Sequence, residues 1–293
     1  MDMNRYEIVL KVAETGNITH AAEVLNYTQS GVSHVVAAVE KEVGVPLFVR
    51  SHSGVVPTEN GEKILSVLQD LACQLRRYEQ TIFSINHVIA GPLRIGTFSS
   101  VSAQLLPGIL DSFQLLYPQA RIDLRDGNYD QIADWIEKGM IDCGFLSRSA
   151  LRPGFRFTSL LDDPILAVLP QDSPLKAKDV LSVSDLLSMP LILQAKGCDN
   201  DVQVQLEDVL PTADIRYVLQ DEVSVLSFVS HGYGVALIPK LLMDVLGGDV
   251  CIRPLSPPLS RELGIAYRNE ESLTLITRTF IEYVVETGND ILS

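Results

Sequence analysis

The stretch THAAEVLNYTQSGVSHVVAAVEKEVGVPLF, residues 19–48, decides the fold of the N-terminal part of the chain. Thr19 is the expected N-cap of a helix over 19–25, because a hydroxyl there accepts a hydrogen bond from an otherwise unpaired backbone N–H. A turn follows at Asn26 and Tyr27, where the asparagine tolerates the left-handed conformation that ends a helix. Thr28 is the expected cap of a second helix that reaches about residue 40. Two short helices joined by a tight turn predict a helix-turn-helix. The second helix also carries apolar residues at the spacing of a buried stripe: Val32, Val35, Val36 and Val39.

The segments on either side complete this unit. A first helix is predicted over 3–14, and 47–49 with 55–56 are predicted to form a short hairpin, the wing. From Thr58 a long helix is expected to reach residue 86. We expect its apolar seam to join two copies of the chain, and the alternative is that the seam packs on the chain's own body. The seam residues alternate in steps of four and three, as in a coiled coil: Ile64, Leu68, Leu71, Leu75, Tyr78, Ile82 and Ile85.

The charge of the chain, taken alone, argues against a nucleic-acid partner. The 293 residues carry a net charge of −14, and no Lys or Arg lies between Thr28 and Glu40. Cations supply most of the non-specific affinity of proteins for DNA. If this chain binds DNA, we therefore expect its electrostatic attraction to the phosphates to be weak.

Length and composition bound the other classes of protein. A chain of this length, 46% hydrophobic, can form two or three domains with their own cores. No apolar run reaches the ~18 residues of a membrane span, and the N-terminus does not resemble a signal peptide, so we expect a cytoplasmic protein without a membrane partner. We expect no metal and no cofactor, because the cysteines are too far apart for a local metal pair: Cys73, Cys143, Cys198 and Cys251.

From about residue 91 the predicted strands and helices alternate along the chain. LRIGT at 93–97 is a predicted strand and LLPGILDSFQLLYP at 105–118 a predicted helix, and the pattern repeats to the C-terminus. Such alternation predicts an α/β fold with largely parallel strands. Ligands of open α/β sheets bind outside the carboxyl ends of strands, where the serine-rich segment 99–102 falls. Hydroxyls and backbone N–H groups at a helix start favour an anion.

These residues together resemble LysR-type transcriptional regulators. The resemblance covers essentially the whole chain, since LPGILDSFQLLYPQARIDL, GMIDCGFL and HGYGVALIP are similar to segments of the family's effector-binding domain. Where the family usually has Arg or Lys after the serine at position 33, this chain has His34. The N-terminal marks are Ala21, Ala22, Gln29, Ser30, Ser33, Glu40, the segment GVPLF at 44–48, Arg50, Thr58 and Gly61.

The resemblance implies the architecture of the chain. An N-terminal winged helix-turn-helix would span 1–60 and a long linker and dimerisation helix 61–90. An α/β two-lobed effector domain, resembling type 2 periplasmic binding proteins, would span 91–293. Its two lobes would be lobe I at 91–162 and 266–293, and lobe II at 163–265.

The resemblance also implies the function. The chain would be a sequence-specific DNA-binding transcriptional regulator, not an enzyme, controlled by a small-molecule effector bound between the two lobes. Its partners would be double-stranded operator DNA, a polar effector of which a carboxylate is the favoured class, further copies of itself as a homodimer and homotetramer, and RNA polymerase as a candidate. The positions that match the family's DNA-binding residues are Thr19, Thr28, Gln29, Ser30, Ser33, His34, Arg50, His52 and Ser53. The expected effector-binding residues are Ser99, Ser100, Ser102, Asn128, Ser147, Gln194 and Lys196.

Other classes of function stay open at this point. A solute-binding or sensor protein without DNA-binding activity would share the two-lobed architecture, and a protein-interaction coiled coil would share the seam. An enzyme is disfavoured, since the chain has no G-x-S-x-G, H-E-x-x-H or G-x-G-x-x-G motif.

Overall fold

The computed structural model describes residues 3–51, 54–85, 89–195 and 201–291. The chain forms two compact units. One comprises Met1–Ile82 with Lys138–Met140, and the other comprises Phe83–Glu137 with Ile141–Ser293.

The first unit is a three-helix domain with a wing and a long helix. Val9, Val12, Val32 and Val39 are fully buried together in its core, and Val36 joins them, so the predicted valine stripe is confirmed. The elements are α1 Met3–Thr15, α2 Ile18–Leu25, α3 Gln29–Val43, β1 Phe48–Ser51, β2 Gly54–Pro57 and α4 Glu59–Ile85.

The start of α2 differs from the prediction. Asn17, not Thr19, is the N-cap: its backbone is extended, and its side-chain oxygen accepts from the backbone N–H groups of Thr19 and His20. Thr19 lies inside the helix because Asn17 offers a carbonyl oxygen that reaches two unpaired amides at once. The predicted caps at the turn are confirmed, with Asn26 in the left-handed conformation (φ 57°) and Thr28 accepting from the N–H of Gly31.

The helix α4 buries one end of the predicted seam and exposes the other. Leu68 is buried and Ile64 is partly buried in the core of the first unit, so neither is available to a partner. Beyond them the apolar side chains become accessible to solvent. The exposed fractions are Leu71 39%, Tyr78 64%, Ile82 44% and Ile85 71%.

The second unit alternates strands and helices as predicted. Its strands are β3 Gly91–Thr97, β4 Ala120–Asp126, β5 Cys143–Ser147, β6 Arg156–Pro170, β7 Leu191–Gln194, β8 Ile215–Leu219, β9 Ala236–Pro239, β10 Val250–Arg253 and β11 Leu259–Tyr267. Its helices are α5 Ser99–Gln104, α6 Leu106–Leu116, α7 Tyr129–Glu137, α8 Val183–Leu187, α9 Asp201–Gln205, α10 Glu222–Ser230, α11 Lys240–Leu246 and α12 Leu275–Ile291.

The prediction of largely parallel strands is wrong for the large sheet. Its order is β10-β6-β11-β5-β3-β4, with β9 also paired to β6. Only β3 pairs in parallel there, with β4 and β5, whereas β11 and β6 are antiparallel to every described partner. A separate parallel pair is formed by β7 and β8. The hydrophobic pattern predicts that a strand exists but not which strand it pairs with. The strands that pair in the large sheet lie far apart in the sequence.

The antiparallel strands β6 and β11 pass from one core of this unit to the others. Their segments 157–161 and 263–267 pack in a core that contains Phe113, Phe145 and Phe280, which we call lobe I. Towards residues 165–169 of β6 and residue 259 of β11 lie two smaller cores, which we call lobe II. The expected lobe boundaries at 162 and 266 fall inside these two strands, so the chain crosses between the lobes in continuous, hydrogen-bonded backbone.

Candidate nucleic-acid interface and interlobe site

One face of α3 is small, polar and exposed. Thr28, Gln29 and Ser30 at its start are exposed, as is His34, and Ser33 is half-buried. The amide of Gln29 donates to the Ser33 hydroxyl at 3.2 Å, and the Thr28 and Ser30 hydroxyls lie 3.3 Å apart. The predicted recognition residues of this helix are thus brought together on one surface that can offer hydroxyl and amide groups to base edges.

Side-chain caps already occupy backbone amides at the starts of α2 and α3. The N–H groups of Thr19 and His20 are already bonded to Asn17, and that of Gly31 is bonded to Thr28 at 3.1 Å. Thr19 itself is exposed. An anion at either helix start would therefore have to share or displace these side-chain caps.

The wing is fixed to the end of α3 by Glu40. Its carboxylate accepts from the backbone N–H groups of Leu47 at 2.7 Å and Phe48 at 3.2 Å. Sequence reasoning took Glu40 only as a family mark, but this contact sets the position of the wing relative to α3. Arg50 lies in β1 opposite Val55, and the predicted contacts His52 and Ser53 lie outside the described residues.

Ion pairs reduce the positive charge of the first unit further. Arg5 pairs with Glu42 at 2.9 Å and Lys11 with Glu14 at 2.7 Å. The Tyr6 hydroxyl donates to Glu42 at 2.7 Å, and this bond and the guanidinium of Arg5 lower the pKa of the Glu42 carboxyl. Two of the four basic residues among the first 62 are thus neutralised within the chain.

The predicted effector-binding serines at the start of α5 contact other parts of the second unit. Ser99 donates to Glu222 at 3.0 Å, and the Ser102 hydroxyl donates to Asp126 at 3.0 Å and lies 3.0 Å from the Thr97 hydroxyl. Ser100 is fully buried and accepts from the guanidinium of Arg261 at 2.9 Å. Ser99 and Ser100 thus face the space between the lobes, whereas Ser102 binds within lobe I.

The remaining predicted residues separate into capping and interlobe groups. Asn128 caps α7, because its side-chain oxygen accepts from the N–H of Gln131 and the Gln131 side chain accepts in return. Gln194 donates to Glu222 at 2.8 Å. Ser147, at the end of β5, is buried and donates to Asp201 at 2.5 Å. Lys196 lies outside the described residues, as does Cys198.

A buried charged network connects the interlobe residues. Arg261 and Asp163 are register partners on β11 and β6, and the guanidinium donates to the carboxylate at 2.9 Å. Arg261 also donates to the Tyr129 hydroxyl at 3.2 Å, and Tyr129 donates to Asp201 at 3.0 Å. The backbone N–H of Leu241 donates to the second oxygen of Asp163 at 2.9 Å. The network therefore connects β6 and β11 with Ser100 and Tyr129 of lobe I and, through Tyr129, with Asp201 on α9.

Sequence reasoning missed the charged members of this network. Asp163 immediately precedes the apolar run PILAVLP, which is a signal of a buried acid, whereas Arg261 lies between Ser260 and Glu262 and has no such signal. Asp201 and Glu222 carry no comparable signal, because they are acids at helix starts, where acids are ordinary. Among the described residues no group of His, Cys, Asp and Glu could hold a metal ion, and no helix is long and apolar enough to cross a membrane.

The comparisons with known families decide the identity of the chain. The model of the LysR substrate binding domain matches residues 86–289, and the model of the bacterial regulatory helix-turn-helix protein, lysR family, matches residues 3–62. The chain belongs to the LysR family. It is a LysR-type transcriptional regulator, and the predicted fold of a winged helix-turn-helix, a linker helix and an α/β effector domain is confirmed.

Relatives of this LysR regulator extend along its whole length. The HTH-type transcriptional regulator YvbU of Bacillus subtilis is 27% identical over 289 residues, which are 98% of each chain. The structure of full-length CbnR complexed with its target DNA is similar in fold, with a TM-score of 0.68, 19% identity and coverage of 98% of this chain and 100% of CbnR. The effector binding domain of QuiR in complex with shikimate has a TM-score of 0.62 and 15% identity, covering 69% of this chain and 98% of QuiR.

Proposed function

We propose that this LysR regulator binds a specific operator sequence through α3 and that a small molecule held between its lobes controls this binding. The observation that carries the proposal is the joint presence of an exposed polar face on α3 and buried polar groups between two lobes that share two strands. The DNA complex of CbnR and the shikimate complex of QuiR support each half by likeness of fold. A ligand can switch the protein only by binding two conformations with different affinity. Contact with RNA polymerase stays a prediction.

The reading of DNA rests on Gln29, Ser30 and Ser33 rather than on cations. A glutamine amide can pair with the edge of an adenine, and serine hydroxyls can bond to several bases. Because α3 has no cation before Lys41, we infer that little of the affinity comes from phosphate neutralisation and that it depends only weakly on salt. The rival hypothesis, a two-lobed sensor without DNA-binding activity, requires that no operator exists for this protein.

Replacing Gln29 with alanine is expected to lower operator affinity by about 10-fold to 100-fold, the contribution of one good base contact. The loss should be small on random DNA, because the side chain reads bases and not phosphates. The measurement is a gel shift with the DNA upstream of the protein's own gene. Gln74→Ala is the matched control, since Gln74 is an exposed glutamine on α4. Equal affinity of wild type and Gln29→Ala for the operator would contradict this reading, and failure of the wild type to bind any such DNA would favour the sensor hypothesis.

We further propose that the exposed apolar end of α4 joins two copies of the chain and that dimers pair into tetramers. Leu71, Tyr78, Ile82 and Ile85 are the described seam residues with large exposed fractions, and such side chains on one helix favour a helix partner. Leu75, also on the seam, is half-buried. Two joined copies bind two half-sites, which raises the affinity without any new DNA contact.

Replacing Ile82 and Ile85 together with glutamate is expected to convert the dimer into a monomer, because four like charges would face one another across the seam. Operator affinity should fall at least about 100-fold through loss of the second half-site. Sedimentation velocity and a gel shift measure the two effects. Gln74→Glu adds the same charge at an exposed polar position of α4 and should change neither. If the double variant still sediments as a dimer, the dimer interface does not lie at this end of α4.

A further inference from the structure

The carboxylate of Asp201 is held between the lobes in a closed set of hydroxyl donors. One oxygen accepts from Ser147 at 2.5 Å and Ser149 at 2.6 Å, and the other accepts from Tyr129 at 3.0 Å. The side chain is 2% exposed. Within the described part of the chain, no cationic side chain forms an ion pair with it. Its charge is therefore stabilised by neutral hydroxyls, with Arg261 acting through Tyr129.

The three hydroxyls can all direct their hydrogens at Asp201. Each serine hydroxyl has one hydrogen, and although the Ser147 and Ser149 oxygens also lie 3.1 Å apart, their shorter contacts are both to the same oxygen of Asp201. Tyr129 can donate its hydrogen to Asp201 because its oxygen accepts from Arg261. Tyr129 thus links the buried guanidinium to the carboxylate, and the two serines contact the other carboxylate oxygen. A group of donors with this arrangement is a receptor for a carboxylate, whichever molecule carries it.

The receptor and its occupant belong to different lobes. Tyr129 starts α7, and Ser147 ends β5, both in lobe I, whereas Asp201 starts α9 in lobe II. The site is also the one in which sequence reasoning placed an effector carboxylate, through Ser147. A second interlobe contact repeats the pattern on a smaller scale, since Glu222 of lobe II accepts from Ser99 of lobe I at 3.0 Å.

We propose that Asp201 is an internal ligand that occupies the carboxylate-binding site until the carboxylate of a small organic acid replaces it. The inference rests on the proposed function and adds the ligand class and the way in which it is sensed. Replacement removes three hydrogen bonds that tie α9 to lobe I, so binding of the acid is coupled to the contact between the lobes. The affinity of the acid is lowered by the fraction of molecules in which Asp201 holds the site.

A cationic effector is the alternative that the same residues allow. Among the described residues of this network Arg261 is the one cation, against three acids, so the described part of the interlobe site has excess negative charge: Asp163, Asp201 and Glu222. An amine could then bind to Asp201 directly. The two hypotheses predict opposite effects of the Asp201 carboxylate on ligand binding. An acid competes with this carboxylate for the site, whereas an amine requires it.

The experiment removes the internal carboxylate from the full-length chain and offers a free one. Asp201→Ala leaves the three hydroxyls without their acceptor and should lower the melting temperature of the second unit by about 5 °C. Trp135, the single tryptophan, lies in α7 and reports unfolding of this unit by fluorescence. Sodium acetate should restore the melting temperature of Asp201→Ala. Half of the restoration should occur at an acetate concentration on the order of 10 mM, because so small a ligand binds weakly. Sodium chloride at equal ionic strength should not.

The controls separate a filled site from a general effect of acetate. Wild type and Asp208→Ala, an exposed acid near α9, should show no saturable response to acetate. Removing the receptor in Asp201→Ala/Ser147→Ala/Ser149→Ala should abolish the rescue. If Asp201→Ala is insoluble, the yields of soluble protein after purification in acetate and in chloride give the same comparison.

Two outcomes would overturn the proposal. One is that acetate gives no saturable rescue of Asp201→Ala. The other is that methylamine stabilises wild type but not Asp201→Asn. Operator binding by wild type is measured separately, so the two proposals fail independently.

Discussion

Gly61→Ala is expected to weaken operator binding strongly by destabilising the first unit. A Cβ atom at this position would lie 2.0 Å from the carbonyl oxygen of Leu47, a backbone atom that cannot rotate away. That oxygen accepts from the N–H of Thr58 at 2.9 Å, and the Thr58 hydroxyl donates to Pro46 at 2.8 Å. The start of α4 is thus held against the segment that enters the wing. We expect a loss of about 3 kcal/mol or more in the free energy of unfolding, at the upper end of overpacking effects.

The measurement combines denaturant unfolding with a gel shift. Helical circular dichroism should be lost at lower urea in Gly61→Ala than in wild type, while the Trp135 transition of the second unit is unchanged. Asn60→Ala is the matched control, because Asn60 is the exposed neighbour in the same helical turn. If Gly61→Ala kept wild-type stability and affinity, the close approach of α4 to Leu47 would be absent in solution.

Arg261→Met is expected to destabilise the second unit by about 3–5 kcal/mol, the cost of leaving a buried charge without its partner. Arg261 and Asp163 are 1% and 2% exposed, so water cannot replace the lost guanidinium. The substitution also removes the donors to Ser100 and Tyr129. Urea unfolding followed by Trp135 fluorescence measures the loss.

Two further variants test this explanation. Arg148→Ala removes an exposed ion pair with Glu262, the residue next to Arg261, and should destabilise the unit far less than Arg261→Met, because water solvates the exposed charges. Adding Asp163→Asn to Arg261→Met removes the unpaired charge while its oxygen still accepts from Leu241, so the double variant should recover more than about 1 kcal/mol. Additive losses in the double variant would mean that Arg261 stabilises the unit through packing and not through its charge.

Local features of this chain could be predicted from the sequence because they depend on neighbouring residues. The stripe of Val32, Val36 and Val39 and the caps Asn26 and Thr28 follow from helical spacing and backbone preference. The helix start at Asn17 was missed because Asn17 and Thr19 are both good capping residues, and only the geometry of the preceding turn selects between them. The apolar stripe of α4 follows from helical spacing, but its division into a buried and an exposed end depends on how α4 packs on α1 to α3.

Features that depend on distant residues could not be predicted in the same way. The antiparallel pairing of β6 with β11 joins residues about one hundred positions apart. The serines of the interlobe site were found through their positions after strands, but their partners were not. Asp201 lies 54 positions after Ser147 in sequence, and nothing in the local pattern indicates that an acid of the same chain fills a site suited to an acid.

The cation-poor surface of the first unit has a consequence for how the regulator is distributed in a cell. A genome presents on the order of a million or more competing sites, and most regulators are held on them by charge. With no cation in α3 before Lys41, and with Arg5 and Lys11 paired internally, this protein should spend little time on such DNA. A larger share of its copies is then free in solution, so a small pool of molecules suffices to occupy an operator.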